Sequence, residues 1–252
     1  VRKHLLHLED SGMVHYRDDG LGIVLALRYG LLCTRSAYRR TRCPCDRLAD
    51  APGAGHFALF VDGVPLLVTP DGGYRLHSSL RSCMLVDGKG QYGDVGYPMS
   101  IPDARKALEE VECLQWDDGR AEGRVRLNLR PAYPEELDLS HYTREFVITG
   151  GRRLICRDEV AFDSPHALSW LFHGKRQNEL ALEQRLCARL GIKPALRIVP
   201  TVFEGTRLKA TVHETEVVWS YASPSGFNPF DHVRYWMTGP VRVAVVQFEI
   251  TW

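Results

Sequence analysis

The sequence lacks an excess of charge of either sign and lacks any long apolar segment. Lys and Arg number 32 and Asp and Glu number 31 in a chain of 252 residues, which leaves no global basic field for nucleic acid. No apolar run approaches the roughly 20 residues that a membrane-spanning helix requires, so we expect no membrane span. An acidic ligand would therefore have to bind at a local cluster of cations.

The cysteines form no recognisable disulfide or metal framework. There are seven of them, an odd number, and they are scattered along the chain. This pattern predicts reduced, buried thiols rather than a set of disulfides. Cys43-Pro44-Cys45 brings two thiols together. No second pair follows at the spacing of a zinc site, so a loop with two incidental thiols is the favoured interpretation.

The overall composition is typical of a packed globular protein. Hydrophobic residues make up 44%, charged residues 25% and aromatic residues 10%, which excludes disorder, collagen-like repeats and coiled coil. No internal repeat or linker is visible, so residues 1–252 are interpreted as a single domain. The chain begins at Val1 without an initiator methionine or an apolar leader. This predicts that a leader or an upstream domain has been removed, or that the chain is a fragment.

Strand patterns dominate the chain. Residues 124–130 alternate strictly between polar and apolar, as in a half-buried strand. Asp62-Gly63 and Gly150-Gly151, each between two strand-like runs, are typical of hairpin turns. The other strand-like runs are 21–29, 56–61, 65–69, 142–149, 152–160, 167–173, 196–203, 207–215, 216–221, 231–237 and 241–252. The spacing predicts an all-β fold, an antiparallel β-sandwich of the supersandwich type with one or two short helices.

Helix signals are few. A Ser-x-Pro-Asp cap at 100–103 predicts a helix over Ala104–Glu112. The stretch 180–190 is ambiguous between helix and strand. The leucines at 5, 6 and 8 are consistent with the end of a helix that arrives from an upstream segment.

Three groups of segments carry a resemblance to a known family. They are Gly53–Leu67; Asp71–Tyr74 with Leu85–Gln91; and Tyr142–Phe146 with Leu154–Asp158 and Trp170–His173. Together they resemble the C-terminal sheet domain of heparinase II/III-like polysaccharide lyases, over most of the chain from about Ser11 onwards. The run Val-Asp-Gly-Lys-Gly-Gln at 86–91 is the most specific part.

The resemblance implies a sandwich that packs against an N-terminal α/α-toroid, with the active site between the two. It also implies β-elimination on an acidic, uronate-containing polysaccharide such as heparin, heparan sulfate or alginate, and a periplasmic or secreted location. In this reaction a base, Tyr or His, removes the C5 proton and an acid protonates the leaving O4. Much of that machinery lies on the toroid, for which this sequence has no room.

The family's sheet domain usually contributes a His-x-His-x-Asp-Ala-Gly motif and a later His-Asn pair. The first His is catalytic, and the second His, a later Asp and the last His bind a structural zinc. In this sequence the two His and the Asp of the motif are Ala49, Ala51 and Gly53, and the His-Asn pair falls on Ser82-Cys83.

The later Asp of the family corresponds to Asp71, or to Thr69 if the register shifts. Since alanine and glycine neither transfer protons nor bind metals, the family mechanism cannot operate at these positions. We therefore expect no zinc and no other cofactor, and a relative without catalytic activity of its own.

Several polar residues beside the lost motif are weak candidates for a site. Tyr74 and His77 could supply a base and an acid, Arg75 could hold a carboxylate, and Gln91 and Tyr92 could contact sugar hydroxyls. An ordinary polar surface loop is the alternative and the favoured interpretation. For His56 and His173, a polar rim and a packing role respectively are favoured over catalysis.

Three functions remain open at this point. The favoured one is recognition or scaffold support of an acidic polysaccharide without autonomous activity. The second is an active lyase module that is completed by a helical toroid on a missing segment or a separate chain. The third is a purely structural or interaction domain. No nucleic-acid partner is expected.

Overall fold

The structure is a computed structural model that describes residues 3–30, 36, 53–68, 78–92, 94, 109–117, 122–149, 152–175, 196–215 and 230–252. Within these ranges no helix is long and apolar enough to cross a membrane. The predictions at 180–190 and 216–221 lie outside the described residues.

The described residues form fifteen strands. They are β1 (Lys3–Leu8), β2 (Met13–Asp18), β3 (Ile23–Arg28), β4 (His56–Val61), β5 (Val64–Leu67), β6 (Met84–Val86), β7 (Glu112–Asp117), β8 (Glu122–Asn128), β9 (Leu139–Thr149), β10 (Arg153–His166), β11 (Leu168–Lys175), β12 (Arg197–Glu204), β13 (Leu208–Thr215), β14 (Phe230–Met237) and β15 (Val241–Thr251). Four short 3-10 turns accompany them, at Glu9–Ser11, Ser78–Leu80, Arg130–Ala132 and Glu135–Leu137.

The strands are arranged in three antiparallel sheets. A five-stranded sheet has the order β1-β2-β3-β4-β5, a six-stranded sheet β12-β15-β10-β9-β8-β7, and a four-stranded sheet β13-β14-β11-β6. The Val68 amide, just after β5, donates to the carbonyl of His173 in β11 at 3.1 Å and so joins the five-stranded sheet to the four-stranded one. The predicted all-β antiparallel sandwich is confirmed. The division into domains remains a prediction.

The predicted hairpins form where the local turn signals lie. Asp62 and Gly63 have φ of 50° and 76°, the left-handed conformation that a two-residue hairpin turn requires, and they join β4 to β5. Thr149 pairs with Arg153, so β9 and β10 form the second predicted hairpin. In β8, buried residues alternate with half-buried ones from Gly123 onwards, as the polar-apolar alternation predicts.

One helix interpretation is wrong, and a second is too long at its C-terminal end. The leucines at 5–8 belong to β1, which pairs with β2 over all six residues. These leucines lie on both faces of the strand, with Leu5 on one face and Leu6 and Leu8 on the other. Within the helix predicted over 104–112, Glu109 is helical, but the helix ends before Glu112, which begins β7. Residues 104–108 lie outside the described residues.

A cluster of four phenylalanines connects the sheets. Phe57 of β4 lies 5.2 Å from Phe146 of β9 and 6.2 Å from Phe172 of β11, measured between ring centroids, and Phe172 lies 4.9 Å from Phe248 of β15. All four rings are buried. Burial of each side chain contributes about 1.5–3 kcal/mol to stability, so this cluster is a central part of the core.

The described cysteines are reduced. Cys83 and Cys156 are free thiols and buried, and Cys113 is half-buried and reduced. Burial raises the pKa of the Cys83 and Cys156 thiols to about 12, which keeps both neutral. The prediction of reduced, buried thiols is confirmed for these two residues.

Candidate functional site

The described residues among the positions that the family resemblance singles out lie beside a buried polar cluster at the start of β4. Gly53 and Gly55 lead into β4, and Ser82-Cys83 lead into β6. Beneath them, β9 and β10 bring a charged pair, Arg144 and Asp158, into direct register. The remaining family positions, at 49, 51, 69 and 71, lie outside the described residues.

Arg144 and Asp158 form a two-point ion pair in the interior. Arg144 donates from Nε to Asp158 Oδ1 at 2.7 Å and from the second terminal nitrogen to Oδ2 at 2.6 Å. Its first terminal nitrogen donates to the carbonyls of Gly55 at 3.0 Å and Ser82 at 2.8 Å. Both side chains are almost completely buried, 1% and 0% exposed. Arg144 thus holds the two family segments onto the six-stranded sheet.

The carboxylate of Asp158 has two further donors. The Trp170 indole donates to Oδ2 at 2.7 Å and the Tyr142 hydroxyl at 3.2 Å. Burial alone would lower the pKa of Arg144, but the charge of Asp158 outweighs it and raises that pKa well above its usual value. The pair is therefore charged and fully hydrogen-bonded, which is the condition for a stable buried ion pair.

Gly55 shapes the backbone at this point. Its φ is +77°, and a Cβ on this residue would lie 2.4 Å from Cδ1 of Leu129. Only glycine allows the chain to turn here and still approach β9 closely enough for its carbonyl to reach Arg144.

Gln91, predicted to contact a sugar, is buried and bound to the chain itself. It is 1% exposed. Its Oε1 accepts from the Ala54 amide at 2.8 Å and its Nε2 donates to the Ala54 carbonyl at 2.7 Å. Tyr92 is half-exposed, and its hydroxyl accepts from the Glu135 amide at 3.4 Å. The sugar contacts of Gln91 and Tyr92 remain predictions. Tyr74, Arg75 and His77 lie outside the described residues.

Replacing Gln91 by Ala is expected to lower the free energy of unfolding by about 1–3 kcal/mol, because the Ala54 amide and carbonyl would lose their partners while buried. Urea unfolding of the variant measures this effect. Tyr92→Phe is the matched control on the next residue, with an expected change below about 0.5 kcal/mol. Equal stability of Gln91→Ala and wild type would contradict the structural role of the amide.

His56 is held in its neutral form. Its Nδ1 accepts a hydrogen bond from the Ser82 amide at 3.0 Å, which requires an unprotonated nitrogen. Burial lowers the pKa of His56 well below its usual value, and the neighbouring Arg81, His173, Arg28 and Arg144 lower it further. The predicted polar-rim position fits the half-buried placement of this residue, but the ring is engaged by Ser82 rather than by solvent alone.

His173 lies deeper in the same region. It is fully buried and packs against His232, with ring centroids 5.1 Å apart, in agreement with the predicted packing role. Among the described residues neither of its ring nitrogens has a hydrogen-bond partner within 3.5 Å, and the same is true of the buried Ser82 hydroxyl. Burial lowers the pKa of His173 to about 3, with a further lowering from His232 and Arg81 and an opposing effect from the backbone of Ser79.

The most specific family segment has its own anchor. Asp87, at φ 51° in the turn after β6, accepts from the Ala167 amide at 2.8 Å and pairs with His166 Nδ1 at 2.6 Å. His166 Nε2 in turn lies 3.0 Å from the Ser164 hydroxyl. This order resembles a Ser-His-Asp relay, but the Ser164 hydroxyl donates to Asp138 at 3.1 Å. The network therefore anchors the turn, and His166 is not the acceptor of the serine proton.

The residues at the family positions do not fit a zinc ion. Gly53 has no side chain, and the Cys83 thiol is neutral and donates to the Ser78 carbonyl at 3.0 Å. Zinc requires thiolate, imidazole or carboxylate ligands, and Ser82 supplies none of these. In the described ranges no group of three or more His, Cys, Asp or Glu side chains is placed to hold a metal. The absence of a cofactor remains a prediction, since Asp71 is not among the described residues.

Sequence reasoning did not single out the Arg144–Asp158 pair. Both residues lie within segments that carry the family resemblance, but neither was considered for a role. A signal was available, because Arg144 occupies the inward-facing position between Tyr142 and Phe146 on β9. A charged residue at an inward-facing position indicates a buried partner.

The fold of this chain is similar to part of several solved polysaccharide lyase structures. A heparan sulfate lyase HepC from Pedobacter heparinus superposes with a TM-score of 0.62 at 12% identity, and two heparinase III structures superpose with TM-scores of 0.65 and 0.63 at 11% and 10% identity. Each match covers 98% of this chain but only 36% of the lyase chain. No family model and no curated protein matches the sequence. The chain therefore has the sheet fold found in heparinase III-type lyases and spans about a third of their length.

Proposed function

We propose that this chain is the sheet domain of a heparinase-like polysaccharide lyase that has lost its catalytic and zinc-binding groups and that recognises or supports an acidic polysaccharide. The observation that carries this proposal is that the framework around the site is present while the family's catalytic and zinc-binding side chains are not. The framework is intact, with the Arg144 pair and the Gln91 bonds to Ala54, while Gly53 and Ser82 stand where the family has an acid and an imidazole.

The described groups around the site do not replace the lost ones. A base for β-elimination must reach the C5 proton of the sugar and must accept it at the working pH. His173 is fully buried, and His56 already uses one nitrogen on Ser82. Burial raises the pKa of Tyr133 and Tyr142 well above the usual value, so neither forms a phenolate readily.

The substrate class is part of this proposal, and the similarity of the fold to lyases supports it. Heparin or heparan sulfate is favoured because a heparan sulfate lyase is among the solved structures with this fold, and alginate is the other acidic polysaccharide considered. The periplasmic or secreted location that the family resemblance implies also belongs to this proposal.

We expect this protein to bind heparin or alginate without cleaving either. The measurement is a β-elimination assay by ultraviolet absorbance of the unsaturated product, run beside calorimetric binding to the same polymers and to a neutral polymer, dextran. Flat absorbance with binding to an acidic polymer supports the proposal. Robust turnover that persists after chelation of zinc would overturn the non-catalytic assignment. Equal, negligible binding to all polymers would favour a purely structural domain.

A second candidate is a lyase module that needs a helical toroid from another segment or chain. The observation that favours it is the length of the match, since the lyases of this fold are almost three times as long as this chain. In that case the double variant Tyr74→Phe/His77→Gln should abolish the activity of the complex reconstituted with a toroid. Unchanged activity of the double variant would eliminate these two residues as the acid and base.

A further inference from the structure

A cavity lies against the four-stranded sheet, at the end of β11 opposite His173. It has a volume of about 460 Å³ and is lined by Asp87 and Ser169 at one side and by Arg234, Trp236 and Met237 at the other. This volume is within the range of about 300–1,000 Å³ that small-ligand sites occupy. The cavity lies at the Ser169 end of β11, four residues or roughly 13 Å along the strand from His173 and the lost family site.

Among the described residues that line this cavity Arg234 is the only arginine, and no other described residue neutralises its charge. Its guanidinium makes no ion pair and no hydrogen bond with the described residues, and its Nε is buried. A buried donor without a partner is costly, so native proteins usually supply one from water, an ion or a ligand. A guanidinium is well suited to bind a carboxylate or sulfate through two parallel hydrogen bonds.

An aromatic ring and a second cation lie beside Arg234. Trp236 is two residues further along β14 and therefore on the same face of the sheet, and it is half-buried. Lys209 of β13 and Ser169 of β11 pair with Trp236 from either side, so all three share this face. Lys209 is exposed and forms no ion pair with the described residues. The face thus combines a flat apolar ring with two cations.

Several arginines on the six-stranded sheet, unlike Arg234, are paired with glutamates. Arg124 pairs with Glu145 at 2.7 Å, Arg126 with Glu159 at 3.2 Å and Arg153 with Glu249 at 2.8 Å. That face is a charge-balanced surface. Asp87 is the acidic group at the cavity of the four-stranded sheet, and its carboxylate is already bound by His166 and the Ala167 amide. The local excess of positive charge therefore lies at Arg234 and Lys209.

We propose that this cavity is a subsite for one anionic pyranose unit of an acidic oligosaccharide. The sugar ring stacks on Trp236, its carboxylate or sulfate is bound by Arg234, and Lys209 meets the charge of the neighbouring unit. The inference rests on the proposed function, because it names the surface through which the domain recognises an acidic polysaccharide. The stacking face and the guanidinium select a charged sugar over a neutral one.

The test uses the full chain and calorimetric titration at fixed salt with three hexasaccharides. A heparin-derived one carries sulfate and carboxylate, an alginate-derived one carries carboxylate only, and maltohexaose is neutral. Arg234→Gln is expected to weaken binding of the anionic ligands about tenfold or more. Trp236→Leu should do so by a similar factor, and Lys209→Gln by a smaller one. Arg124→Gln, in the paired surface of the six-stranded sheet, is the control and should bind as wild type does.

The outcomes separate the two proposals. Losses confined to Arg234, Trp236 and Lys209 support the subsite, and the two anionic ligands then show whether carboxylate alone suffices. Wild-type binding that all three variants retain overturns the subsite and leaves the proposed function standing. No binding of either anionic ligand by wild type overturns both. Since Lys209 is exposed, its variant stays informative even if Arg234→Gln or Trp236→Leu reduces stability.

Discussion

Replacing Asp158 by Asn is expected to lower the free energy of unfolding by about 3–5 kcal/mol, the largest effect that we predict for a single substitution. The variant keeps the size of the side chain but leaves the Arg144 guanidinium charged, buried and without a counter-charge. Arg144→Met is expected to cost a similar amount, since it leaves the Asp158 carboxylate uncompensated and removes the donors to the Gly55 and Ser82 carbonyls. Urea unfolding of each variant gives the values.

The double variant Arg144→Met/Asp158→Asn separates the cost of an uncompensated buried charge from the cost of the lost hydrogen bonds. Its destabilisation should be smaller than the sum of the two single effects, because neither charge is then left alone. It should still exceed about 1 kcal/mol, because the two backbone carbonyls lose their donors. The control pair is Arg124 and Glu145, which lie 2.7 Å apart but are partly exposed; Arg124→Gln should cost no more than about 1 kcal/mol. If Asp158→Asn lowers the free energy of unfolding by no more than that control does, the assignment of Arg144 and Asp158 as a buried ion pair is wrong.

Acidification is expected to destabilise the protein through His173. Its pKa is about 3 in the folded state and 6.5 in an ordinary environment, so between these values the unfolded state binds a proton that the folded state does not. The stabilising contribution is therefore complete above about pH 6.5 and is lost as the pH falls, by about 1.4 kcal/mol for each pH unit. At pH 4 this amounts to a loss of about 3 kcal/mol relative to pH 7.

His173→Phe removes the titrating group and keeps an aromatic ring against His232. Its stability should fall less steeply between pH 6.5 and 4 than that of wild type, and the remaining slope is expected to reflect His56, whose pKa is also lowered. His141→Gln, an exposed site on β9, is the control and should follow the wild-type profile. Parallel pH profiles of His173→Phe and wild type would show that the histidine is not buried as a neutral ring.

Local sequence signals predicted most of the described strands. They failed where pairing with another strand or a close contact elsewhere in the chain determines the structure. The alternation at 124–130 and the Asp62-Gly63 turn depend only on neighbouring residues, and both predictions are confirmed. The leucines of β1 form a strand because β2 pairs with them across the turn at Gly12. Gly12 approaches Gly30 so closely that a Cβ on Gly12 would lie 2.3 Å from the Gly30 Cα, a contact that nothing in residues 1–12 reveals.

At the candidate site, too, the sequence shows which side chains are present but not which distant residues contact each other. The absence of imidazole and carboxylate groups at 49, 51, 53 and 82 is visible in the printed residues, because the identity of a side chain sets what it can ligate or protonate. The bonds between Gln91 and Ala54 join residues 37 positions apart, and those from Arg144 to Gly55 and Asp158 span 89 and 14 positions. Contacts between residues so far apart in sequence leave no periodic or turn signal, so the sequence alone revealed neither the bonds of Gln91 to Ala54 nor the role of Arg144.

The order of residues alone thus determines which side chains stand at positions 49, 51, 53 and 82 and where the two predicted hairpins turn, because both depend on side-chain identity and on near neighbours. The packing of three sheets decides the rest. It buries Arg144 and Asp158 against each other, removes His173 from water, and leaves Arg234 beside Trp236 without a partner among the described residues. Burial and charge compensation arise only when distant strands meet, which is why the folded structure was needed to find them.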